Sequence, residues 1–259
     1  MTPTQRVRTI QALLVAALFA VFSPEDAAAQ AGQGDRGFLF RQPNVSLGLR
    51  TGYAVPRAGS ELFTHTRDEL TVEKSDFAGG YVGGEIGVRL SDHFDLAFGV
   101  GYTSSTTPSE FREWVEIVGN DSLAIEQVTE FATIPVTLSG KYYLTDRGRS
   151  IGRFAWVPKR MNAYVGGGVG LTFYRFEQLG DWIDSETEDI FTSEFTSQGR
   201  GTQLHALAGL DVSISKNFYL TGEGRYLWAD AAIDERFFEG FDDLDLAGFQ
   251  FTVGISARF

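Results

Sequence analysis

Eight stretches of this chain alternate apolar with small or polar residues at a period of two, and they run over most of its length. They are "NVSLGLRTGY" (44–53), "YVGGEIGVRL" (81–90), "DLAFGVGYTS" (95–104), "TIPVTLSGKYYL" (133–144), "NAYVGGGVGLTFY" (162–174), "TQLHALAGLDVSI" (202–214), "YLTGEGRYLW" (219–228) and "FQFTVGISARF" (249–259). A period of two is the signature of a strand with two unlike faces. Thirty glycines and 22 phenylalanines, with no cysteine and two methionines, suit twisted sheets anchored by aromatics better than packed helices. The chain reads as all-β, and an even strand number suits an up-and-down antiparallel barrel.

The amino terminus has a different character. Arg6 and Arg8 precede the apolar run "IQALLVAALFAVF" and then "AAAQ", the three-part layout of a secretory signal peptide cleaved before Gln30. The run is too short to span a membrane as a helix. The expected organisation is a signal peptide over 1–29, a periplasmic segment over 30–43 and a barrel over 44–259. An exported chain without cysteine draws its stability from sheet and burial instead of disulfides, and it carries no lipoprotein anchor.

The connections alternate in length. "SDHF" and "SKNF" are hairpin-sized, whereas 54–80, 105–132, 175–201 and 229–246 are long. The segment 145–161 breaks the rule, since a short turn is expected there. Sorting the strands by parity gives one face of aliphatic residues, among them Leu49, Val82, Ile86, Val169, Leu204 and Val253. The other face holds Arg50, Glu85, Arg89, Lys141, Asp211, Glu223, Arg225 and Arg258 with many glycines. Tyr53, Tyr102, Phe173, Tyr226, Trp228 and Phe249 share the aliphatic face and sit at the long-connection ends of their strands, as an aromatic girdle at a membrane interface would. The apolar face is therefore read as the outside. The expected fold is an eight-stranded antiparallel transmembrane β-barrel with short periplasmic turns and long extracellular loops, sited in an outer membrane.

The last strand, with Phe249, Phe251, Val253, Ile255 and the terminal Phe259, resembles the carboxy-terminal signature of bacterial outer-membrane β-barrels. The resemblance implies that these residues are read by the barrel-assembly machinery. The eight-strand layout resembles the small-barrel family of the OmpA transmembrane domain and OmpX. OmpA-type proteins often continue into a peptidoglycan-binding domain, and that activity is not carried over to this chain.

Eight charged side chains inside a narrow barrel are costly unless paired, so Arg50, Glu85, Arg89, Lys141, Asp211, Glu223, Arg225 and Arg258 are expected to form a salt-bridge network that plugs the lumen. An ion path through the same residues is the alternative. Counted over 54–77, 104–127, 176–201 and 229–246, the four long loops carry 24 acidic against six basic side chains, a net of −18 in a chain whose total is −12. That excludes nucleic acid as a partner and leaves an extracellular protein or a divalent cation for the loops. "DERFFEGFDDLDL" (234–246) lacks the spacing of a calcium loop, and its Phe237, Phe238 and Phe241 are expected to pack on their own hairpin. The basic segment 145–161, with Arg147, Arg149, Arg153, Lys159, Arg160, Phe154 and Trp156, reads as a surface for anionic headgroups or a periplasmic partner, or as a solvated extension.

Enzymatic signals are thin. His65, His93 and His205 lie far apart, and only His205 falls inside by parity, with no serine near it on the lipid-facing side. "GGGVG" from Gly166 lies inside a strand and lacks a following helix, so Gly166, Gly168 and Gly170 read as relief of crowding instead of a phosphate loop. No catalytic residue, cofactor or metal is expected. The expectation is a monomer surrounded by outer-membrane lipids, with a structural or surface-interaction role. A lipid-modifying enzyme and a small-solute channel are the alternatives.

Overall fold

The computed structural model describes residues 38–118, 120–152, 155–184, 187, 189–234, 238 and 240–259. The expected signal peptide, most of the segment 30–43, and Arg153, Phe154 and Phe237 lie outside the described residues. The strands are β1 (Val45–Pro56), β2 (Gly79–Arg89), β3 (Phe94–Val118), β4 (Asp121–Tyr143), β5 (Gly148–Ile151), β6 (Ala155–Pro158), β7 (Met161–Ile183), β8 (Ile190–Ser213), β9 (Phe218–Ala231), β10 (Leu244–Asp245) and β11 (Gly248–Arg258). One helix, α1 (Glu61–Glu69), lies between β1 and β2.

Eight strands pair with their neighbours in antiparallel register, in the order β1-β2-β3-β4-β7-β8-β9-β11. The ring closes where β1 meets β11, for example Leu49 opposite Ile255 and Tyr53 opposite Phe251. With every barrel strand flanked on both sides, the ring leaves no open edge around its girth. The eight alternating segments of the sequence are these eight strands.

Side-chain direction separates the two faces. Val82, Ile86, Phe98, Val169, Leu204 and Val253 point out and are exposed, while Lys141, Glu223 and Arg225 point in and are buried. A water-soluble barrel has the opposite arrangement, so this exterior is suited to lipid. At the end nearest the long connections the outward row is aromatic, with Tyr226 packed edge-on against Phe249 at 4.6 Å and against Trp228 at 4.8 Å between ring centroids. Tyr53, Trp228 and Phe249 stand exposed there, Phe173 beside them, with Tyr102 half-buried.

Two of the long connections are not loops. β3 and β4 stay paired up to Val118 opposite Asp121, and β7 and β8 up to Ile183 opposite Ile190, so most of 105–132 and 175–201 is a four-stranded wall rising beyond the aromatic row. Within that wall both faces are mixed. Phe131, Tyr174 and Phe176 point in and are buried, whereas Glu130 and Arg175 point out. Gln127, Thr129 and Gln178 are buried inward as well, and Val128 and Leu179 stand exposed on the outer face, so the wall keeps neither the apolar exterior of the lower barrel nor the pattern of a soluble sheet. The other departure is 145–161, where β5 and β6 form a separate two-stranded hairpin at the short-turn end.

Gly166, Gly168 and Gly170 show why β7 is glycine-rich. A Cβ at each would lie 2.2, 2.0 and 2.4 Å from a carbonyl oxygen of β4, so the two strands approach too closely for any side chain.

Candidate functional site

The eight inward charges divide into two groups. Five form one network in mid-barrel, contributed by strands on opposite sides of the bore. Glu223 of β9 accepts Arg50 of β1 at 2.8 Å, Arg225 at 2.9 Å and Lys141 of β4 at 3.2 Å. Glu85 of β2 lies 2.7 Å from Arg50 and 2.5 Å from Lys141. The Tyr164 hydroxyl of β7 donates to Glu223 at 2.8 Å, and the Lys141 ammonium lies 5.0 Å from the centre of that ring. Three cations thus share two carboxylates, each carboxylate bridging at least two cations across the lumen. Such a cross-linked set fills the bore with groups whose separation would leave a buried charge unpaired.

The remaining three do not join it. Asp211 accepts from Tyr143 at 2.9 Å and from Thr221 at 2.8 Å, while Arg89 and Arg258 lie at the short-turn mouth. They are too near the ends of β2 and β11 to reach mid-barrel. There the β5–β6 hairpin turns inward and buries Trp156, with the guanidinium carbon of Arg89 5.8 Å and that of Arg258 6.0 Å from its ring centre. Leu39 and Trp156 exchange both backbone hydrogen bonds at 2.8 Å, so the segment ahead of β1 is tied to this floor through one isolated bridge. Arg147, counted in the sequence as part of a basic surface, is folded under the mouth instead, 2.5 Å from Asp95 and 4.3 Å over the Tyr143 ring. Above Trp156 a cavity of about 40 Å³ runs toward Asp95, Asn162 and Asp211, room for a few waters. At the turn itself Gln42 donates to Asp92 at 2.8 Å, and that bond holds the Asp92 carboxyl below its ordinary range.

The opposite mouth is sealed by apolar residues. The chain after β1 lays α1 across the opening, and Leu62, Phe63 and Thr66, on one face of the helix, are buried. Phe63 is fully buried, 4.7 Å from Phe77, 5.4 Å from Phe131 and 5.9 Å from Phe176 between ring centroids, each edge-on. Leu244, Leu246 and Phe238 complete the cluster from the segment after β9. Phe238 is therefore buried in a core shared with α1 and does not pack on its own hairpin alone; Phe241 packs partly against the same core. Arg57 anchors the start of this cap, 2.7 Å from Asp245, and the hydrogen bond raises the guanidinium's already high pKa. Its end is anchored where Thr71 and Glu110 bond through the Thr71 amide at 2.8 Å and hydroxyl at 2.9 Å.

Between network and cap, Ser139 Oγ and His205 Nε2 lie 2.8 Å apart, a serine on the lumen side and not on the lipid-facing side considered from the sequence. The pair is in the lumen and buried, continued by Gln203 at 3.4 Å from His205 Nδ1 and Thr172 at 2.5 Å from Gln203. A catalytic pair needs a carboxylate or comparable acceptor behind the histidine and a route for substrate. Here the Gln203 amide nitrogen faces Nδ1 while its oxygen accepts from Thr172, and the apolar cap and charge network close the lumen on either side. Parity alone places both residues inside, but β7 separates their strands, so nothing in the sequence brings them together. The cap left a fainter signal, the spacing of Leu62, Phe63 and Thr66 inside a presumed loop.

Phe249, Phe251, Val253, Ile255 and Phe259 are all exposed on the outer face of the closing strand. They are free to contact lipid or another protein.

No family model matches the chain, and no curated protein matches it in sequence. Several solved structures are similar. Outer membrane protein OprG from Pseudomonas aeruginosa is 13% identical with a TM-score of 0.48, over 85% of this chain and 99% of that one. Neisserial surface protein A is 14% identical with a TM-score of 0.43, over 88% and 100%. Ail, the attachment invasion locus protein of Yersinia pestis, is 14% identical with a TM-score of 0.41, over 85% and 100%. The architecture rests on the strands themselves: a closed antiparallel ring of eight, apolar outside and charged within, is the fold of the small bacterial outer-membrane β-barrels, and it is the fold of this chain.

Proposed function

We propose that this protein is a non-conducting, non-catalytic barrel of the bacterial outer membrane that acts through its extracellular surface. The observation that carries the reading is the threefold closure of the lumen: Trp156 at the periplasmic mouth, the Arg50–Glu85–Lys141–Glu223–Arg225 network at mid-height and the Phe63 cluster at the outer mouth. A bore blocked by paired charges and then by aromatic packing has no continuous water column for a solute. Chemistry is left to the surface beyond the membrane, the strand wall and connections where the acidic residues concentrate. A protein partner with a basic surface, or divalent cations bridging the carboxylates, suits that charge.

Planar-bilayer recording of the purified protein tests the closure. Silence, or rare and brief events, is the expected result, and stable large openings would establish a channel. Mass spectra of lipid A from cells expressing the protein test the catalytic alternative. An acyl chain lost or gained, and restored by His205→Ala or Ser139→Ala, would overturn the non-catalytic reading.

A further inference from the structure

The periplasmic rim carries a cluster of cations that only the folded chain assembles. The β8–β9 turn is strapped to the end of the β5–β6 hairpin, where the Ser213 amide donates to the Arg160 carbonyl at 2.8 Å and the Ser213 hydroxyl to the Lys159 carbonyl at 3.0 Å. Lys159 and Arg160 are exposed, and Lys216, half-exposed, lies in the turn that follows Ser213. Residues 155–164 and 212–222 contain no acid; Asp146, brought near by the bond from the Lys159 amide to the Arg147 carbonyl, has its carboxylate 3.3 Å from His93 Nε2 and leaves the corner with a net positive charge.

Its position is as informative as its charge. Met161 and Ile214 follow directly on Arg160 and Ser213 and are 52% and 58% exposed, at the lower edge of the apolar exterior. The cations therefore lie at the level where acyl chains give way to headgroups, and long Lys and Arg side chains there reach phosphates while their stems stay on apolar surface. Arg147 is spent on Asp95 and does not contribute. Arg149 is exposed on β5 opposite Val157, so it lies on the same hairpin face as Lys159, one diagonal step away, and adds to the positive charge of this corner.

We infer that Lys159, Arg160 and Lys216 form a binding site for the phosphate of an anionic phospholipid in the inner leaflet, with Met161 and Ile214 flanking its acyl chains. The site rests on the proposed outer-membrane placement. It would fix the depth and tilt of the barrel from the periplasmic side, opposite an acidic outer surface that repels the same headgroups.

The test is to place the full protein in nanodiscs of phosphatidylethanolamine mixed with either phosphatidylglycerol or phosphatidylcholine, release it into mild detergent and count retained lipids by native mass spectrometry. Phosphatidylglycerol should be retained in preference to phosphatidylcholine. Retention should fall roughly five-fold per cation removed in K159Q/R160Q/K216Q, and K74Q, which removes an exposed cation between α1 and β2 at the opposite end of the barrel, should retain it as the unmodified protein does. Equal retention of the two lipids, or undiminished retention by the triple variant, overturns the site while leaving the barrel reading intact. Failure of the unmodified protein to enter the discs overturns both. Strand content by circular dichroism shows that the triple variant is folded.

Discussion

Glu223→Gln isolates the central network. The substitution keeps the shape of the side chain and removes the charge that Arg50, Arg225 and Lys141 approach at 2.8, 2.9 and 3.2 Å. The unmodified set holds three cations against two carboxylates, an excess of one positive charge; the variant leaves three against Glu85 alone. Removing one member of a buried ion pair costs about 3 to 5 kcal/mol, because the partner's desolvation remains without its compensation. Water entering the bore lowers that figure, and the Nε atoms of Arg50 and Arg225, which have no protein hydrogen-bond partner, are where it would bond. At about 2 to 4 °C per kcal/mol for a domain of this size, the midpoint of thermal unfolding should drop by roughly 6 to 20 °C. The assay is far-UV circular dichroism in detergent micelles, paired with the gel-mobility shift on heating. Adding Lys141→Met to the variant removes the uncompensated charge and should recover a large part of the loss. A midpoint within 2 °C or so of the unmodified protein, or a double variant no better than the single one, would refute the idea that paired charge holds the lumen closed.

Phe63→Ala should cost about 3 to 5 kcal/mol, much of it as local opening, so chymotrypsin should cut within 57–78 far faster while the barrel's own midpoint moves less; unchanged cleavage would show that the aromatic cluster does not hold the cap. Phe259→Ser should lower the amount of assembled protein in the membrane fraction well below what the loss of one aromatic contact predicts, and normal levels would remove the terminal residue from the assembly signal. Because the bond from Gln42 depresses the folded pKa of Asp92, its contribution is complete above the unfolded carboxylate value of about 4 and is lost as the pH falls through the lower folded value. A carboxyl NMR titration should therefore place the Asp92 midpoint low, and Gln42→Ala should move it up; an unmoved midpoint would discard the bond as its cause.

The strands were legible because lipid on one side and a charged bore on the other give side chains such as Val82 and Glu85 opposite preferences at a period of two. That rule stops at the aromatic row. Beyond it Phe131 and Phe176 point inward beside Gln127 and Gln178, while Val128 and Leu179 point outward beside Glu130, so neither parity keeps one chemistry and a pattern search tuned to the membrane reads the wall as loop. Side-chain encounters across the bore, such as Ser139 with His205, were hidden because they depend on which strands face one another once the ring has closed. Sorting all eight inward charges into one network failed for a related reason. Parity reports direction but not height, and Arg89, Asp211 and Arg258 lie too far down the bore to meet Glu223.

The pairing of β1 with β11 joins residues such as Thr51 and Val253, whereas every other junction of the ring links strands that follow one another closely in the chain or are separated by one small hairpin or segment. Closing a loop of roughly 200 residues costs about 3 kcal/mol more chain entropy than closing a ten-residue hairpin. The seam is thus the slowest contact to find, and it can form only after the carboxy-terminal strand has emerged. Until then β1 and β9 each present a full row of unpaired amides and carbonyls, two sticky flanks on one half-built sheet. A chain arrested at that stage could satisfy those flanks with a second copy of itself, so its hazard during biogenesis is intermolecular sheet growth, and whatever escorts it to the membrane must shield two edges until β11 arrives.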